Sequence, residues 1–86
     1  MAGFPQLREA GWLYGGDDPY LPLALLRLFE HMDGSGRWEL RLNSPAQART
    51  QTVVWPDEAG ARGELARVYA DGERDGRWRV RQPEAY

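Results

Sequence analysis

The chain has 86 residues, with four tryptophans, four tyrosines and two phenylalanines within a 42% hydrophobic content, and a formal net charge of -2. So much aromatic surface excludes a disordered segment, and the length holds one hydrophobic core, so a single domain over 1–86 is expected. The absence of cysteine excludes disulfides, thiolate nucleophiles and cysteine-based zinc sites.

All eleven basic residues are arginine, a side chain whose planar fork pairs with carboxylate or phosphate, although a GC-rich coding sequence yields the same bias. The acidic balance argues against bulk affinity for nucleic acid, so an anion site has to come from local clustering. No apolar run approaches the roughly 20 residues that span a bilayer, and Met1 to Arg8 lacks the basic-then-apolar order of a leader. A cytoplasmic protein with no membrane contact is the expectation.

In chain order, Gly11–Tyr14 predicts a short strand ended by Gly15 and Gly16. Asp18 before Pro19 has the form of a helix cap with proline in the first turn. Leu21, Leu25, Leu28, Phe29 and Met32 then share one face at helical spacing, which predicts the main core helix. Asp33-Gly34-Ser35-Gly36 breaks the chain. Trp38, Leu40 and Leu42 alternate with Arg37, Glu39 and Arg41 as in a half-buried strand. Asn43–Ala48 forms a loop, and the β-branched run Thr50–Trp55 a second strand of a hairpin, stopped by Pro56. Ala61, Leu65, Val68 and Tyr69 predict a helix within 57–70, with Gly60 and Gly63 as its weak points. Arg77–Gln82 alternates around Trp78 and Val80 as a last strand, and a tail follows from Pro83.

Leu25–Arg41 aligns without a gap on Leu65–Arg81, sharing leucine, arginine, glycine, arginine, tryptophan and arginine. Extended upstream, this is an internal repeat of about 11–43 and 50–82. Strand, helix and strand in each half predict an α+β, ferredoxin-like βαββαβ fold, with two helices on one face of a four-stranded antiparallel sheet. The alternative is a small all-β hairpin repeat, with Leu25–Met32 and Leu65–Ala70 as strands turning at Asp33-Gly34 and Asp71-Gly72.

Tyr14-Gly15-Gly16-Asp17-Asp18 resembles the paired aspartates that hold Mg²⁺ in polymerase and cyclase palm domains, which would imply an Asp17/Asp18-dependent nucleotide or metal enzyme fragment. The resemblance covers five residues, and neither Gly11–Tyr14 nor Thr50–Trp55 supplies the further carboxylate such a site needs. A glycine turn followed by an Asp18 cap accounts for the same string. His31 is the only histidine and, placed near a helix end, interacts with the dipole. Asp71–Gly76 lacks calcium-loop spacing and is read as a turn. No catalytic residue, metal site or cofactor is expected.

Arg77, Arg79 and Arg81 share a face of the last strand, and Arg37 and Arg41 a face of the earlier one. On the uncovered side of the predicted sheet they form a candidate binding surface. The expected function is a non-catalytic protein-interaction or regulatory module. Its partner is another protein or a second copy in a homodimer, with nucleic acid less favoured and a structural self-associating subunit as the further alternative.

Overall fold

The computed structural model describes residues 4–15, 22–44, 49–74, 79–80 and 84–85. The elements run β1 (Gln6–Tyr14), β2 (Pro22–Glu30), β3 (Trp38–Ser44), β4 (Arg49–Trp55), α1 (Glu58–Arg74), β5 (Arg79–Val80) and β6 (Glu84–Ala85). They build a six-stranded sheet in the order β4-β3-β2-β1-β5, with β6 also on β1. All pairings are antiparallel, so β1 to β4 form a meander and α1 lies across one of its faces.

This corrects the ferredoxin-like expectation, because the described residues contain one helix and it follows the meander. The expected first helix is the strand β2. Its run Pro22–Phe29 is apolar on both parities apart from Arg27, a pattern that does not distinguish a strand from a helix. Pairing on both sides decides between the two: Leu28 stands opposite Glu9 on β1 and Leu40 on β3, so the backbone of β2 is satisfied from two neighbours. The hairpin alternative therefore describes the first aligned segment and fails for the second. There, Ala66, Arg67, Ala70 and Asp71 leave apolar side chains on one helical stripe only, and Leu65–Arg74 continues as α1. Asp71–Arg74, expected as a turn, is the last turn of this helix. The expected loop at Asn43 is also late, since β3 runs to Ser44, and residues 84–85 of the expected tail pair with β1.

Trp38–Ser44 and Arg49–Trp55 match the expected hairpin. Between β2 and β3, Gly34 (φ 84°) and Gly36 (φ 76°) occupy the left-handed region. The His31 N–H donates to the Arg37 carbonyl at 3.0 Å and closes that turn.

Strand alternation sorts the sheet into two faces. Toward α1 point Leu13, Ala24, Leu26, Leu28, Trp38 and Leu40, all buried, and the last four pack with Ala61 and Leu65 of the helix. Leu42, Trp55, Val68 and Tyr69 extend that core while staying partly exposed. No helix of the described residues covers the opposite face.

Pro56 ends β4, and Asp57 then caps α1, its Oδ1 accepting the Gly60 N–H at 2.8 Å. Glu58 in the first turn and Arg74 in the last complement the helix dipole. On the outer surface Arg62 pairs with Glu58 (2.6 Å) and Arg67 with Asp71 (2.8 Å). Such exposed pairs are screened by solvent and contribute little, so burial of Ala61 and Leu65 holds the helix in place. Gly63 is exposed, and an added Cβ meets nothing within 4 Å. Gly63→Ala is therefore expected to stabilise the fold by about 0.5–1 kcal/mol, read as a higher urea midpoint with unchanged slope.

Candidate functional site

The face away from α1 is built by the odd partners of the same alternation. Register places Leu7, Phe29, Glu39 and Val54 in one cross-strand row, Ala10, Arg27, Arg41 and Thr52 in the next, and Trp12, Leu25, Asn43 and Thr50 in a third. Arg27 and Arg41 thus stand directly opposite one another on neighbouring strands. Like charges in that position destabilise a sheet by a few tenths to about 1 kcal/mol.

Two features offset the repulsion. Arg41 pairs with Glu39, and both guanidiniums lie over the Phe29 ring, Arg41 at 4.3 Å from its centroid and Arg27 at 5.4 Å. Glu39 is 6% exposed, the one buried charged residue among the described residues, and its other oxygen lies 3.0 Å from His31 Nε2. Burial pushes the Glu39 carboxyl up, but the Arg41 hydrogen bond, followed by that of His31, outweighs it and holds the group below its ordinary value. His31 sits just past β2, not at a helix end, and its role is to share this carboxylate.

A carboxyl lowered in the folded state contributes stability above its unfolded pKa, and that contribution is lost as pH falls through the lowered value. Acid unfolding is thus expected to steepen below pH 4.5, the ordinary value for the group. Glu39→Gln should flatten that limb in melting curves taken as a function of pH. An unchanged limb assigns acid sensitivity to other carboxylates.

Arg27 differs from Arg41. Its Nη2 donates to Asn43 Oδ1 at 2.8 Å, and Asn43 Nδ2 in turn donates to Thr50 Oγ1 at 3.0 Å. No carboxylate of the described residues lies within ion-pair distance of Arg27, whereas Arg8, Arg37, Arg41, Arg62, Arg67 and Arg74 each have one. Its Nε–H is buried and meets no acceptor. Around this centre Trp12, Leu23 and Val54 are exposed, giving a cation set within apolar surface.

The residues singled out from sequence fall in different places. Arg41 belongs to this face. Arg37 lies in the β2–β3 turn, where it donates to Ser35 Oγ at 3.2 Å and to Asp33 Oδ2 at 3.4 Å. The Ser35 hydroxyl and backbone N–H, with Arg37, hold the Asp33 carboxyl down at about 2. Arg79 stands in β5 opposite Tyr14. Arg77, Arg81, Asp17, Asp18 and Trp78 lie outside the described residues.

Arg27, Asn43, Phe29 and Trp12 escaped the sequence reading. The available signal was Arg27 itself, the one charged residue between Pro22 and Phe29. Among the described residues no group of three or more histidine, aspartate or glutamate side chains is arranged to hold a metal ion, and no helix is long and apolar enough to cross a membrane. Comparison with protein-family models, with curated proteins and with solved structures finds no match, so the site rests on its own chemistry.

Proposed function

We propose that this chain is a non-catalytic interaction module whose uncovered sheet face docks a partner protein that offers a carboxylate to Arg27. The observation that carries the reading is a guanidinium with no carboxylate partner among the described residues, placed opposite a second guanidinium on the face. Glu39 takes up the charge of Arg41, whereas Arg27 meets only the neutral Asn43 amide and the Phe29 ring, so its charge is left for an anionic ligand. A carboxylate docked on the guanidinium neutralises the like-charge pair through charge-assisted hydrogen bonds. Exposed Trp12 and Val54 supply apolar surface of the kind that forms the core of protein contacts. The net charge of -2 favours such a local contact over a nucleic-acid backbone, which needs many cations.

Amide shifts in a nuclear magnetic resonance titration test this. A peptide of alternating glutamate and leucine is expected to move Trp12, Arg27, Arg41 and Asn43, with an affinity that falls about tenfold or more in Arg27→Gln. Equal binding by that variant removes Arg27 from the site. A stronger response to a thymidine oligonucleotide of equal charge assigns the face to nucleic acid.

A further inference from the structure

The outer edge of β4 has no strand partner among the described residues, since β4 ends the sheet beyond β3. Edge strands of soluble proteins are ordinarily blunted by lysine, proline, inward charges or a bulge, because their free N–H and C=O groups template pairing with another chain. Between Thr50 and Trp55 none of these occurs: the run TQTVVW carries no charge and no proline, and its register against β3 is unbroken over all seven residues of the strand. Val53 and Val54 project to opposite faces and stay 51% and 46% exposed. Each face of the edge thus carries one exposed valine among uncharged threonine and glutamine, with Arg49 at the start of the strand.

We propose that this edge is a self-pairing surface, on which β4 of a second copy docks antiparallel about a two-fold axis at Thr52 and continues the sheet. The inference is independent of the role given to Arg27. A two-fold axis normal to the sheet preserves its faces, so paired residues share a parity, and centring on Thr52 is the one register that pairs all seven residues. Thr52 then meets Thr52 of the partner subunit, each Thr50 stands opposite a Val54, and each Gln51 opposite a Val53. These are β-branched and hydroxyl pairs of the kind that stabilise cross-strand contacts, and no like charges are brought together.

A second observation points the same way. Beside this edge, on the helix side, lies an apolar groove of about 230 Å³ lined by Leu42, Gln51, Val53 and Trp55 of the sheet and Arg67 and Val68 of α1. The half-exposed Val53 forms its margin. In the paired arrangement Val53 of each copy is covered by Gln51 of the other, and the two grooves meet across the axis as one trough. A ladder of this length is small for a permanent dimer, so association is expected to depend on concentration.

Sedimentation of the full chain from about 10 μM to about 1 mM is expected to show mass rising from monomer toward dimer, the range of a weak interface. Thr52 is exposed but stands opposite Arg41, so Thr52→Asp is the milder change and Thr52→Lys adds a like charge there, and circular dichroism checks that both variants keep the fold. Each variant places like charges face to face on the axis and should weaken association about fivefold or more, while an equimolar mixture of the two restores it as a heterodimer. Arg27→Gln should dimerise like the parent, which separates this surface from the uncovered face. A parent that stays monomeric at about 1 mM overturns the proposal, as does unchanged dimerisation of both Thr52 variants.

Discussion

Truncating Leu28 to alanine is expected to cost about 2–5 kcal/mol, the range for deleting a fully buried leucine that leaves an unfilled cavity. Leu28 is 0% exposed, is paired on both sides within β2, and packs with Leu26, Trp38, Leu40, Ala61 and Leu65 under the helix. A domain of this length has a total stability of roughly 4–13 kcal/mol, so the loss takes a large share of it. The melting temperature should drop by about 10 °C or more, and the urea midpoint with it. Leu23, on the same strand but facing the uncovered side and partly exposed, is the control. Its truncation should cost less than about 1 kcal/mol. Equal losses at the two positions contradict the assignment of faces to β2, and with it the placement of α1.

The second large effect is expected at Gly11. A Cβ built there would collide with the Tyr69 hydroxyl and stand 3.0 Å from the ring carbon that bears it. Gly11 is buried in β1 beneath the helix, so the partly exposed Tyr69 ring has to shift from its place against β1 to admit a methyl, and Gly11→Ala should destabilise by about 1–3 kcal/mol. Tyr69→Phe removes the clashing oxygen and should recover part of that loss in the double variant, a coupling that a thermodynamic cycle reads directly.

Tyr69 also carries a pH signature. Its hydroxyl is buried without a hydrogen-bond partner, and burial, with the nearby Glu9 charge, pushes its pKa up from 10.0 to about 12. A phenol raised in the folded state contributes stability that is complete below its unfolded pKa and is lost as pH rises through the folded value. Alkaline unfolding should therefore set in between pH 10 and about 12 and weaken in Tyr69→Phe.

These two sites also show which parts of the molecule could be read from the chain. β3 and β4 were legible because Trp38, Leu40 and Leu42 alternate with charged residues, a pattern with one structural meaning. Leu65, Val68 and Tyr69 marked α1 for the same reason, since one apolar stripe on an otherwise charged segment admits only a helix. β2 was misread because Leu23, Leu25, Leu26, Leu28 and Phe29 fill both parities of a strand and also a helical stripe. Periodicity is silent there, and pairing with β1 and β3 decides. Losing β2 hid the candidate site as well. Arg41 was placed on the uncovered face from β3 alone, but its opposite number Arg27 lay in a segment taken for a helix, so their juxtaposition could not be seen. The aligned GRW segments misled further by giving two different environments the same expected structure.

The double occupancy of the free side of β1 by β5 and β6 bears on how the chain is made. β1 to β4 can zip up hairpin by hairpin as they leave the ribosome, since each strand meets the one just before it. Leu13 and Ala10, by contrast, wait for Val80 and Glu84, which are synthesised several seconds later at ordinary rates. Until then the nascent meander is open at both flanks. A truncation that removes Arg79–Val80 and Glu84–Ala85 would make that passing state permanent, and its cost would appear first as insoluble product in expression and only second as a lower melting temperature.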